Sequence, residues 1–180
     1  MARTRSFAPL GRRPIFHGRV IELWLERWRG PHGRELAREQ VVHPGAVAIL
    51  PVTARGTFLF VRQFRAAARQ RLLEIPAGTL ERRESPIQCA RRELREEVGR
   101  AARRWRKLGV IYTAPGFCNE VIHLFEAREL RPAAGEPDAD EEIEVVELSA
   151  GEVRRAVKRG TLQDGKSLSA LYLSGRCALR

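Results

Sequence analysis

Five glutamates fall between Gly78 and Arg100, in GTLERRESPIQCARRELREEVGR, and three of them lie within five residues. Glu93, Glu96 and Glu97 stand at i, i+3 and i+4, which on a helix puts them on one flank. Carboxylates held that close repel one another. Taken alone, the triplet fits either of two arrangements. One is a salt-bridged surface with Arg92 and Arg95 as partners. The other is a cation site, and carboxylate oxygens without Cys or His partners suit a hard divalent ion, magnesium or manganese.

The flanking residues specify the helix that would carry the triplet. Ser85 is an N-cap, Pro86 suits the first helical position, and Gln88 completes a capping box. Gly99 is placed to end the helix in a left-handed conformation. Between these marks Ile87, Ala90, Leu94 and Val98 recur at helical spacing and define a buried stripe.

The larger spacing favours the cation site. Gly78 is followed after five residues by Glu84, then after seven by Arg92-Glu93-Leu94, after one by Glu96-Glu97, and after one more by Gly99. This pattern resembles the signature of the Nudix hydrolases at each of those positions. It departs at Arg100, where that family usually has an aliphatic residue that closes packing.

From about Arg13 to Ser174 the chain resembles the ADP-ribose pyrophosphatase branch of that family. Val61-Arg62-Gln63-Phe64-Arg65 and Leu73-Glu74-Ile75-Pro76-Ala77-Gly78 resemble the strands that lead into the signature. Pro115, fifteen residues past Arg100 in Ala114-Pro115-Gly116-Phe117-Cys118-Asn119-Glu120, marks the ADP-ribose enzymes. Pro137 to Val146, PDADEEIEVV, resembles the branch's catalytic loop and following strand.

The resemblance implies an α/β fold: a Nudix α/β/α sandwich with a mixed sheet, plus a small N-terminal antiparallel sheet used in dimerisation. It implies metal-dependent hydrolysis of a nucleoside diphosphate linked to another moiety, with ADP-ribose giving AMP and ribose 5-phosphate. The alternatives are another sugar nucleotide, FAD, a dinucleoside polyphosphate or an RNA cap as substrate, or a regulator that binds nucleotide without cleaving it. Mg2+ or Mn2+ would be held by Glu93 and Glu97, with Glu96 and the Ala77 carbonyl, and Arg92 would orient a neighbouring glutamate. Glu84 would support the loop. Glu141 matches a second, metal-binding glutamate, while Ala139 falls where some members have the catalytic base. Glu141 then serves as base or ligand, a box glutamate activates the water alone, or the acidic run only keeps its loop solvated. Arg65, Glu120, Gly78, Pro115 and Gly116 fall at substrate positions, and Phe16 would stack on adenine from a partner chain. Against this, Arg65 has a plain reading as a surface ion pair and Glu120 as a cap.

Composition sets the frame. The 180 residues make one domain of ample core. The formal net charge of +11 suits a phosphate-rich substrate, but the positives are spread along the chain and no nucleic-acid motif accompanies them. Long apolar runs are absent, so neither a membrane span nor a signal peptide is expected. The first sixteen residues are basic and acid-free but lack the amphipathic repeat of a transit peptide. Cys89, Cys118 and Cys177 form no CxxC pair, which fits reduced thiols in the cytoplasm, and Cys89 reads as a small core residue. His17, His32, His43 and His123 have no zinc-ligand spacing.

Along the chain, residues 1–44 read as an N-terminal strand region for dimerisation and substrate contact, and residues 45–180 as the catalytic domain. Residues 1–12 are expected to be loose. Two strands with a turn near His17-Gly18 follow, then a third from Glu35 to Val42. Strands are expected at Gly45–Val52, Thr57–Phe64, from Leu72, Lys107–Tyr112, Val121–Ala127 and Ile143–Leu148. An acidic loop is expected over 131–142. Ser149 with Glu152, and Asp164, open two final helices.

Overall fold

A computed structural model describes residues 7–135 and 142–177. Two compact units divide the described chain. One comprises residues up to Gly45 together with Tyr112–Glu120, and the other Ala46–Ile111 with Val121 onward.

In the first unit, β1 (Ala8–His17), β2 (Glu22–Arg29) and β3 (Glu35–Val42) form an antiparallel meander. The chain turns at Gly18, whose N–H donates to the Ile21 carbonyl at 2.9 Å. β1 thus begins well inside the segment expected to be loose. Its register slips at Gly11, a bulge with φ of 144° that only glycine takes easily. Trp24 and Trp28 donate their indole N–H groups to Glu22 and Glu26, and Arg12 stacks on Trp24 at 4.3 Å. Every fully buried hydrophobic residue among the described residues lies at Ala46 or beyond, so this meander has no core of its own.

The second unit holds two sheets and three helices. β7 (Ala77–Thr79), β4 (Ala46–Pro51), β9 (Val121–Pro132) and β8 (Arg100–Tyr112) form a mixed sheet in that order, with β4 parallel to β9. β10 (Ile143–Leu148), β5 (Phe58–Arg65) and β6 (Gln70–Glu74) form an antiparallel one. β4 is buried on both faces, which explains its unbroken apolar run. Ala46, Ala48 and Leu50 join a cluster with Val153 and Ala156 of α2 (Ala150–Lys158) and Ala170 and Leu171 of α3 (Gly165–Ser174). Val47 and Ile49 face the other way, onto Cys89, Ala90, Leu94 and Val98 of α1 (Pro86–Val98). The expected α/β architecture, helices on both sides of a mixed sheet plus a small antiparallel one, is therefore present.

The helix signals hold in detail. Ser85 N–H donates to Gln88 Oε1 at 2.9 Å, and Gly99 is left-handed with φ of 64°. The strand ends depart from expectation. β8 starts at Arg100, not Lys107, and β9 runs to Pro132, not Ala127. β8 is an edge strand, where arginines protect an open edge rather than mark a loop. Arg100 is exposed, and Ala102 packs on the α1 cluster instead. β7, only three residues long, was not among the expected strands. Half of the segment expected to be an acidic loop, residues 136–141 with Pro137, Ala139 and Glu141, lies outside the described residues.

Candidate active site

The box is built by α1 lying over β7. Cys89 Sγ sits 3.9 Å from the Gly78 carbonyl and 3.5 Å from that of Thr79, so the helix start is pinned to the strand. One turn on, the Glu93 carboxylate lies directly over the Gly78 Cα. A Cβ built there would meet Glu93 Oε1 at 1.8 Å. A further turn on, Glu97 Oε2 accepts the Ala77 N–H at 3.0 Å. Both carboxylates belong to buried residues, 8% and 5% exposed.

Arg92 ties the rest together. Its guanidinium donates to Glu84 through Nε and Nη2 at 3.0 Å each, to Glu93 at 2.6 Å, to Glu96 at 2.9 Å and to the Thr79 carbonyl at 3.3 Å. Glu84 also accepts the Glu81 N–H at 3.2 Å, so it closes the loop between β7 and α1. The Arg92 hydrogen bond, above the cost of burial, holds the Glu84 carboxyl below the usual range. The same bond to Glu84 raises the Arg92 guanidinium, which stays charged. Burial pushes the Cys89 thiol far up, with Glu84 and Glu93 adding to it, so Cys89 is packing and not a nucleophile.

The donor set suits a hard divalent cation. It offers only oxygen: three carboxylates, Glu84, Glu93 and Glu96, face one guanidinium, and a fourth, Glu97, lies against the Ala77 backbone. Gly78 leaves the gap that lets a carboxylate approach the β7 backbone. Among the described residues no three acidic, His or Cys side chains are already gathered as a chelate. Arg92 lies between Glu93 and Glu96, so an ion there would require those carboxylates to turn.

Arg65 is engaged elsewhere. Its Nη2 pairs with Glu74 at 2.7 Å, and Lys166 of α3 reaches the same Glu74 oxygen at 2.7 Å. This is the ion pair weighed for Arg65, although with a buried partner: the Glu74 side chain is 3% exposed. No role for Glu74 is visible before folding, because a single acid at the end of a strand carries no spacing signal. The other candidate residues belong to the first unit. Pro115 and Gly116 line a cavity of about 270 Å³ with Trp28, Gln40, Tyr112 and Phe117. Glu120 accepts the Thr113 hydroxyl at 2.7 Å and lies 3.6 Å from His43 Nδ1. Phe16 stands on β1, 56% exposed, with its ring against Gly18.

Comparison with known proteins places this arrangement. Residues 42–171 match the model of the NUDIX domain. The chain is 40% identical over 174 residues to an ADP-ribose pyrophosphatase of Bacillus subtilis (strain 168), covering 95% of this chain and 94% of that protein. It is 37% identical over 169 residues to a methanol dehydrogenase activator of Bacillus methanolicus, covering 92% and 91%. The crystal structure of an ADP compounds hydrolase superposes with a TM-score of 0.86 at 21% identity, over 97% of this chain and 95% of that one, and so supports the fold. With the box spacing, its helix and this full-length likeness in agreement, the chain belongs to the NUDIX family and is a Nudix pyrophosphohydrolase.

Proposed function

We propose that the protein hydrolyses ADP-ribose to AMP and ribose 5-phosphate. The supporting observation is the extent of the match to the ADP-ribose pyrophosphatase. The NUDIX match starts at residue 42, whereas the relative matches 95% of the chain. The unmatched 5% of 180 residues is nine, so the likeness runs into the N-terminal meander as well as the box.

A water oxygen bonds to one phosphorus, the P–O–P bridge breaks, and the departing phosphate leaves with the bridge electron pair. A divalent cation, Mg2+ or Mn2+, supplies charge neutralisation and a more acidic water when bound. Glu93 and Glu97, with Glu96 and the Ala77 carbonyl, would hold it. The Ala77 N–H keeps Glu97 turned toward β7, and Arg92 holds Glu93 and Glu96 on one side of the helix. Glu141 is proposed as base or ligand. Pro115, Gly116 and Glu120 with Gly78 would contact the nucleotide, and Phe16 would stack on adenine from a partner chain. Arg65 would contact the substrate from its place beside Glu74.

The same proposal includes a homodimer formed through the meander and a cytoplasmic setting, which the three free cysteines support. The described helices include none long and apolar enough to cross a membrane.

The test is a panel of ADP-ribose, GDP-mannose, FAD, dinucleoside polyphosphate and capped RNA, each with magnesium and with manganese. ADP-ribose should give AMP and ribose 5-phosphate with the highest kcat/KM. Inertness toward ADP-ribose with both metals, or a faster panel member, would replace this reading.

A further inference from the structure

A second charged site lies on the face of the mixed sheet opposite α1. Phe125 and Ala127 of β9 point into the α1 cluster, so Glu126 between them points toward α3. Its carboxylate is buried, 1% exposed, with three charge-assisted bonds. Arg176, just past α3, donates through Nε at 2.5 Å and Nη2 at 3.0 Å, and Arg106 of β8 donates at 3.0 Å. Arg106 also holds the Ser174 carbonyl at 3.1 Å, which ties the end of α3 to the sheet.

Two guanidiniums are enough to neutralise Glu126. Two more arginines line the same cavity, Arg104 and Arg128, with Trp105 beside them. Arg104 has only a loose contact to Glu129, at 3.6 Å. Arg128 has no ion-pair partner among the described residues. Four guanidiniums against Glu126 and Glu129 leave an excess of two positive charges. Edge protection accounts for the arginines of β8, but not for Arg128 on the inner strand β9 or for Arg176. The volume, about 100 Å³, has room for several waters or one tetrahedral oxyanion but not for a nucleoside. Guanidinium forks match phosphate oxygens in geometry as well as charge.

We propose that this cavity, lined by Arg104, Arg106, Arg128 and Arg176 over Glu126, binds the dianion of orthophosphate or of a phosphate monoester, separately from the box. Arg106 and Arg176 are already positioned by Glu126, so the site is organised before the anion arrives. Arg104 and Arg128 supply the unspent donors. AMP and ribose 5-phosphate are monoesters of this kind. They enter only as probes, and binding is measured without turnover, so the inference stands apart from the assigned substrate.

The experiment uses the full chain in EDTA at constant ionic strength. Thermal melting and calorimetric titration are followed with orthophosphate, AMP and ribose 5-phosphate, with chloride as the control. Arg104→Ala/Arg128→Ala leaves the Glu126 clamp in place and should fold and hydrolyse substrate at the wild-type basal rate. Orthophosphate should raise the melting temperature of the wild type and of Glu97→Gln, and the double variant should bind at least tenfold more weakly. Monoesters binding more tightly than orthophosphate would support the site and assign it to products, and the reverse order would support it and assign it to free phosphate. Four results would overturn it: no response in the wild type, an equal response in the double variant, loss of the response in Glu97→Gln, or binding of an RNA oligomer with a steep salt dependence and no response to phosphate.

Discussion

The Glu93 carboxylate occupies the space that a side chain on Gly78 would need. The position of a Cβ on Gly78 lies 1.8 Å from Glu93 Oε1 and 2.0 Å from Cδ, while Arg92 holds the same Oε1 at 2.6 Å. The backbone of β7 is pinned by pairing to β4, so the carboxylate must give way. Gly78→Ala should therefore displace Glu93 and lower kcat by about a hundredfold, the scale of losing a group that stabilises developing charge. Its melting temperature should stay close to wild type, because one carboxylate at the edge of the helix face moves rather than the apolar core. Wild-type turnover in this variant would remove Glu93 from the reaction.

Glu97 presents a separable case. Its bond to the Ala77 N–H needs only an acceptor oxygen, which glutamine also offers. Glu97→Gln should keep the β7–α1 packing but lose the charge that would attract a cation. Turnover is expected to fall by roughly two or more orders of magnitude. Binding of Mn2+, followed by its effect on water proton relaxation, should weaken in parallel. A variant that binds Mn2+ as the wild type does would sink the ligand role.

The parts legible in the sequence were those specified locally. The capping boxes at Ser85 and Ser149, the left-handed Gly99 and the apolar run of β4 each rest on residues a few positions apart. What escaped was specified by distant partners. The ion pair weighed for Arg65 gets its partner only when β6 and α3 bring Glu74 and Lys166 beside it. The run from Arg100 to Arg106 has the composition of a loop, and only the neighbouring β9 makes it a strand. β7 needs β4 to exist at all.

Glu74 links three elements and has a pH signature. Burial alone would raise its carboxyl, but hydrogen bonds and charge from Arg65 and Lys166 outweigh that and hold it below the usual range. A depressed folded-state value means that the stabilisation is complete above the unfolded value, about pH 4.3, and is lost as pH falls through the folded one. Glu74→Gln leaves Lys166, 12% exposed, without that partner, although Asp164 remains 3.0 Å away. A cost of about 2–4 kcal/mol is expected at pH 7, below that of a fully buried pair because the outer edge of Arg65 meets solvent. Urea unfolding at pH 7 and below pH 4 should show the gap between variant and wild type narrowing in acid. A gap that stays constant would mean that the Glu74 carboxyl is not held below its unfolded value.

The meander poses the last test. Its three strands carry no fully buried apolar side chain, and a sheet of this size is marginal alone. Ile15, Phe16, Val20 and Ile21, on either side of the Gly18 turn, are all more than a third exposed. Apolar groups gathered around one turn of one hairpin are the kind of surface that an interaction would cover. A second copy is the proposed cover, and a stable interface of that kind needs roughly 1,000 Å² or more. Ile15→Asp/Ile21→Asp places two charges on that surface while leaving Phe16 in place. Light scattering during gel filtration should show a wild-type dimer and a monomeric variant. The monomer should retain the melting behaviour of the second unit, Ala46–Ile111 with Val121 onward, whose core is its own. It should lose kcat/KM for ADP-ribose if Phe16 acts across the interface. A wild type that is monomeric at micromolar concentration would refute the dimer.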